Sequence, residues 1–293
     1  MKSIKIIGIL FSLTLLISCG VKIQGIDLGR VVNIGSKALS SNKVTLEQEK
    51  EMGAQMAAVI LGTSKLHPDS SLQFYVNRVG SWVASNSERP NLSWTFAVIE
   101  TKDINAFATP GGYILVTSAL LENLNSEAEL AGVLAHEITH VVQQHHLNAI
   151  NKTKSASIFG DVALLANDVY QSGRSRNSNS WRNQKIAENL LSSTQEIYAK
   201  GLSKEDEFDA DTKALVLMTR SGYDPYAFVS VLQTLDSIQP DDSHMALLFS
   251  THPKPSDRLN NIGKTLDYLE PKLSGTKNNA ERYLNNTMGP VVK

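Results

Sequence analysis

At 293 residues the chain can hold one large domain or two smaller ones, and its 42% apolar and 19% charged residues exclude wholesale disorder. A net charge of −1, a pI near 6.7 and the lack of any Lys/Arg block with interleaved aromatics give no nucleic-acid surface. The one cysteine, Cys19, excludes an internal disulfide and a cysteine-rich zinc cluster.

Residues 1–18 read as a signal peptide. Lys2 and Lys5 precede an apolar run from Ile6 to Ile17, which is too short for a comfortable membrane span. Leu16-Ile17-Ser18-Cys19 resembles a bacterial lipobox, in which Cys19 is lipidated and becomes the new N-terminus. Gly20 follows where an aspartate would suggest inner-membrane retention, so the expected anchor is the outer membrane, facing the periplasm of a Gram-negative cell. Residues 19–43, rich in Gly, Ser and Asn, read as a tether.

From Val44 the pattern becomes that of a packed domain. Thr45 can cap a helix to about Leu61, with Met52, Met56, Val59 and Ile60 as its apolar stripe. Ser70 to Ala84 is a second helix with Leu72, Tyr75, Val76, Val79 and Val83 on one face; His67, before Pro68, is a surface residue of the linking turn. The stretch from Trp94 to Ile99 alternates as a strand. Pro110-Gly111-Gly112 is a turn into a β-branched strand, Tyr113 to Thr117. Ser126 can cap the next helix, whose first turn carries Glu127 and Glu129 against the dipole.

That helix contains His136-Glu137-Ile138-Thr139-His140, flanked by Leu130, Val133, Leu134, Val141 and Val142. Two histidines four apart lie one turn apart on one face, close enough to share a metal ion, and the glutamate beside the first can take a proton from water activated there. It is the H-E-x-x-H pattern of zinc peptidases. Further on, Ser157 to Tyr170 reads as helix, 171–182 as a Ser/Asn/Arg-rich loop or lid, and Gln184 to Leu202 as helix.

A third ligand has two candidates. His146 fits the spacing of the metzincin zinc peptidases, but Gln143 stands where those proteins turn on a glycine. Gln143 and Gln144 favour a continuing helix, which swings His146 about 120° off the face of His140. His146 is therefore rejected, and His145 and His146 read as polar residues at a helix end. Glu207 and Asp211 are four apart on another helical face, with Ala210 and Ala214 small enough for close packing. Glu207 can complete a two-His, one-Glu zinc site, and Asp211 can accept from a ligand histidine's other nitrogen. Glu205, Asp206 and Asp209 read as a solvated acidic face.

His136-Glu-x-x-His140, Glu207-x-x-x-Asp211, Asn105-Ala-Phe-Ala-Thr-Pro-Gly-Gly112 and Ser250-Thr-His-Pro253 together resemble, in order, the gluzincin peptidase family of CAAX prenyl endopeptidase and HtpX. The lipobox points to its soluble bacterial lipoprotein branch, BepA- and LoiP-like. The resemblance spans roughly Val44 to Leu269. It implies one Zn²⁺ on His136, His140 and Glu207, Glu137 as general base, and Asp211 behind a ligand. It implies that the strand Gly112, Tyr113, Ile114, Leu115 onward, with Asn105, is the edge to which a peptide adds. His252 would approach and gate the zinc, and Arg258 would orient substrate or stabilise an oxyanion. Residues after Leu273 are few and polar, which puts the helical-repeat module of longer relatives in doubt as an expectation for this chain.

The expected fold is α+β: one mainly helical zincin-type domain, residues 44–273, with a small sheet at the rim of the zinc cleft, then a polar tail, 274–293. The expected function is a zinc endopeptidase for unfolded or misassembled envelope proteins, in contact with outer-membrane assembly machinery and tied to the membrane through lipid on Cys19. The alternative is a zinc-stabilised chaperone or assembly factor with little hydrolysis.

Overall fold

The computed structural model describes residues 22–23, 26–27, 44–151, 192, 194, 196–238 and 243–287. Residues 22–23 and 26–27 pair as a two-residue antiparallel ladder. The expected signal peptide, the lipidation site Cys19, most of the tether, the 157–170 helix and the 171–182 loop lie outside the described residues.

Thr45 caps the first helix, α1 (Leu46–Thr63), in a reciprocal capping box with Gln48. A short strand, β1 (Lys65–Leu66), leads to α2 (Ser70–Ser85), capped by Asp69. Three more strands follow: β2 (Thr95–Glu100), β3 (Ala106–Thr109) and β4 (Tyr113–Thr117). They form one mixed sheet in the order β1-β2-β4-β3, with β2 parallel to β4 and β3 antiparallel to it. Gly111 and Gly112, at φ 78° and 102°, make the β3–β4 turn, where residues with a side chain would be strained.

Successive strand residues face opposite sides, and the sheet is covered on both. Phe96, Val98, Ala106, Ala108, Ile114 and Val116 join the main core; Ile99, Phe107 and Leu115 join a second cluster with Met52, Met56, Ile60, Leu147 and Ile150. The short helix α3 (Ser118–Glu122) leads to α4 (Glu127–Val142), in which every residue from Glu127 to Val141 is buried. A helix buried on all sides belongs at the centre of the domain, and α4 packs most extensively against α6 (Lys204–Arg220). Ala131, Ala210 and Ala214 are fully buried, and at Gly132 an added Cβ would stand 3.1 Å from the Phe228 ring. After α6 come α7 (Tyr226–Ser237), α8 (Ala246–Thr251) and α9 (Pro255–Leu269). The fold is the expected mainly helical α+β domain with a small sheet.

Two expectations change here. Residues 280–287 of the expected tail form α10 (Ala280–Thr287), held by one aromatic: Tyr283 is fully buried and its hydroxyl donates to the Leu121 carbonyl at 2.5 Å. Beside it the buried Glu127 carboxylate accepts from Tyr75 (2.9 Å), Tyr223 (2.7 Å) and Arg282. The second change is at the end of α4. The chain leaves the helix at Gln143, Gln144 takes φ 58°, and α5 (His145–Asn151) starts in a new direction. Local propensity favours continuation, but tertiary contacts override it. The buried Glu49 carboxylate pairs with Arg89 at 2.8 and 2.9 Å and accepts from Gln144 Nε2 at 3.3 Å and Gly111 N–H at 3.2 Å. Arg89 also donates to the Val141 carbonyl, so the last turn of α4 ends on a cation.

Candidate metal centre

α4 and α6 bring His136, His140 and Glu207 together, and the loop after α8 adds His252. One ligand atom from each of these four lies within 4.8 Å of the others. His136 Nε2 and His140 Nε2 are 3.0 Å apart, and the Glu207 oxygens stand 3.6 and 3.5 Å from them. His252 Nδ1 donates to Glu207 Oε2 at 2.7 Å. Ser203 caps α6 through the Asp206 N–H, which starts the helix in the register that turns Glu207 and Asp211 inward.

This donor set fits one zinc ion: two imidazoles, a carboxylate, and a fourth position within reach. Glu207 Oε1 is buried without a hydrogen-bond partner and is aimed at the histidines, as a ligand oxygen should be. Burial holds His140 well below the usual histidine range, in the neutral form that ligates. Burial opposes the Glu207 charge, yet His252, His140 and His136 keep the carboxyl well below its usual range. Burial and Arg258 disfavour charge on His136, but Asp211 and Glu207 outweigh them and raise it to about 9. The carboxylates thus call for a cation at this point.

Behind His136, Nδ1 is 2.9 Å from Asp211 Oδ1. With Nε2 turned to the metal position, Nδ1 carries the proton and donates to Asp211. Asp211 is gripped from its far side by Arg258, through Nε at 3.0 Å and Nη2 at 2.6 Å. Burial would raise the Asp211 carboxyl, but Arg258 and His136 hold it at about 2. The guanidinium also lies over the Phe228 ring, 5.6 Å from its centre. Arg258 is therefore not where a substrate-orienting or oxyanion residue would stand. Its Nε and Nη2 are taken up by Asp211, and Nη2 also lies 3.2 Å from His136 Nδ1.

Glu137 is buried, and burial raises its carboxyl above the ordinary range. It lines a narrow cleft with Ala106, Ala108, His146, Tyr198, Glu207 and His252. The expected substrate edge also shifts. β4, which holds Tyr113, Ile114 and Leu115, is paired on both sides, and the Gly112 carbonyl accepts from Thr95, so this strand has no free edge. The edge strand at the cleft is β3. Asn105 is fully buried: its carbonyl accepts from the Thr117 N–H, and its side chain accepts from the Ala106 N–H. Because the Thr117 N–H donates to the Asn105 carbonyl, alternation turns the backbone N–H and C=O of Ala106 and Ala108 away from β4, while their side chains stay in the core. The Ala108 carbonyl accepts from the Tyr198 hydroxyl at 2.9 Å, and the Tyr198 ring meets Phe107 edge-on.

His145 and His146, expected as polar residues at a helix end, pack against the site instead. The break at Gln144 folds them back: His145 is buried, and the His146 ring lies 5.5 Å from that of His140. Burial lowers His146 to about 4. His146 is outside the four-residue ligand group. Tyr198 and His145 carry no recognisable spacing in the sequence, and only the helix break and the packing of 196–200 bring them in.

With this geometry in place, the sequence model described as Peptidase family M48 matches residues 70–266, more than half of the chain. The chain belongs to peptidase family M48. It is 29% identical over 259 residues to the beta-barrel assembly-enhancing protease of Yersinia pestis, covering 87% of this M48 chain and 51% of that protein. It is 28% identical over 234 residues to the mitochondrial metalloendopeptidase OMA1 of Schizosaccharomyces pombe, covering 79% and 65%. It is 26% identical over 264 residues to metalloprotease YcaL of Escherichia coli, covering 89% and 97%. The chain thus spans about half the length of the beta-barrel assembly-enhancing proteases it matches.

Proposed function

We propose that this M48 chain is a zinc-dependent endopeptidase that hydrolyses unfolded or misassembled proteins of the bacterial envelope. The observation that carries it is the placement of Glu137: a buried carboxylate with raised affinity for a proton, in the same cleft as Glu207 and His252 of the candidate metal group. When bound, the ion supplies the Lewis acidity that makes water a nucleophile near neutral pH. Glu137 takes the proton from the attacking water and passes it to the leaving nitrogen. Asp211, locked by Arg258, holds the His136 tautomer. An extended peptide adds to the outward groups of β3 at Ala106 and Ala108, displacing the Tyr198 hydroxyl from the Ala108 carbonyl. His252 leaves Glu207 to admit substrate and then faces the scissile group from the fourth corner of the site.

The envelope setting rests on Cys19 and on the relatives named as beta-barrel assembly-enhancing proteases. None of the described helices is long and apolar enough to cross a membrane, and lipid on Cys19 supplies the attachment. The direct test of the enzyme assignment is metal removal. Casein degradation stops after treatment with a zinc chelator and returns on adding one equivalent of zinc per chain but not of magnesium. Degradation that continues in the zinc-free protein refutes it. A Cys19→Ser protein that stays with the membrane fraction refutes the lipid anchor.

A further inference from the structure

The two ligand histidines are supported differently. His136 donates directly to a carboxylate, Asp211. Among the described residues no carboxylate stands behind His140; its Nδ1 lies 3.0 Å from Nδ1 of His145, ring centres 5.1 Å apart. Of two imidazoles meeting Nδ1 to Nδ1, one donates and the other accepts. With His140 Nε2 turned to the metal position, His140 carries its proton on Nδ1 and His145 accepts it. His145 must then be protonated on Nε2, and that nitrogen faces two carboxylates: Asp209 Oδ2 at 3.5 Å and Asp206 Oδ1 at 3.8 Å. Lys213 pairs with Asp209 from the outer side at 2.7 Å. Each tautomer in the row follows from its neighbour.

We propose that His145 is the positioning residue of His140, relaying the acidic pair Asp206–Asp209 on α6 to the metal through two imidazoles in series. It rests on the zinc assignment above. The arrangement gives a purpose to the break after α4. A continuing helix would carry His145 away from His140; the αL turn at Gln144 returns it, and Glu49 and Arg89 fix that turn. His145 is 6% exposed, so the ring is confined, whereas the Asp206 and Asp209 side chains are about one-third exposed.

Zinc affinity, measured on the full chain in detergent by competition with a chromogenic chelator, tests it. His145→Leu removes the acceptor at similar volume, and zinc binding weakens by about 10- to 100-fold. His145→Asn returns an acceptor oxygen near the lost Nδ1 and restores most of the affinity. The absorption bands of the cobalt-substituted protein shift in His145→Leu and return in His145→Asn. The exposed pair Asp206→Asn/Asp209→Asn, which leaves the core intact, weakens zinc binding in the wild type and has no effect in His145→Leu, because the effect runs through the ring. The proposal is overturned if His145→Leu binds zinc as the wild type does, if His145→Asn is as weak as His145→Leu, or if the aspartate effect persists without the ring. Wild-type protein that binds no zinc counts against the metal site itself; wild-type protein that binds it, with an equal His145→Leu, counts against the relay alone.

Discussion

Replacing Arg258 by methionine leaves Asp211 buried with His136 as its one side-chain partner among the described residues. Arg258 makes two charge-assisted bonds to Asp211, at 3.0 and 2.6 Å, with both side chains at or below 5% exposure. Removing one member of a buried pair costs about 3–5 kcal/mol, because the other charge stays desolvated. In a domain of this size about 1 kcal/mol moves the midpoint by about 2–4 °C, so Arg258→Met lowers the Tm of the zinc-free protein by about 6–20 °C. The double variant Arg258→Met/Asp211→Leu removes both charges and recovers most of that loss. It does not recover zinc affinity, since His136 Nδ1 has lost its acceptor, a loss of about 10- to 100-fold. Thermal melts followed by circular dichroism in a chelator, together with zinc titrations, separate the two effects. A single variant melting within 2 °C of the wild type, on a scale where about 6 °C is the least expected shift, refutes the buried pair. So does a double variant less stable than the single.

Tyr283→Ala costs about 3–5 kcal/mol by the measure of other buried aromatics, and a melt at wild-type temperature shows that α10 is not docked. Gly53→Ala places a Cβ 1.6 Å from the Pro110 carbonyl oxygen, forcing α1 from the β3–β4 turn; a cost of at least about 1–3 kcal/mol in denaturant unfolding is expected. Tyr198→Phe keeps the ring on Phe107 but releases the Ala108 carbonyl. KM for an extended peptide falls while kcat holds, and an unchanged KM shows that peptide does not compete for that carbonyl.

Much of the site was legible because its spacing is helical. His136 and His140 share a face of α4, Glu207 and Asp211 share a face of α6, and small residues let the two helices approach. Where contacts distant in sequence decide, the sequence misled. Gln143 and Gln144 are good helix formers, and nothing local reveals that Glu49 and Arg89 break the helix there. With the helix taken as continuous, His145 and His146 fell on the wrong side. Tyr113 to Thr117 reads as the stronger strand, but strength in β-branched residues marks a central position rather than an edge. The edge went to the short, small-residue β3. The C-terminal helix escaped notice because one buried tyrosine holds an otherwise polar segment. Arg258 was placed near the chemistry, but its direction depends on Asp211, forty-seven positions away.

The most direct measurement is casein degradation by the full chain carrying Glu137→Gln, with bound zinc quantified in the same sample. The expected result is one zinc per chain, as in the wild type, with hydrolysis lost by at least about 100-fold, the scale of a removed general base. Zinc-loaded Glu137→Gln protein that degrades casein at the wild-type rate contradicts the peptidase mechanism and leaves the zinc-stabilised chaperone in its place.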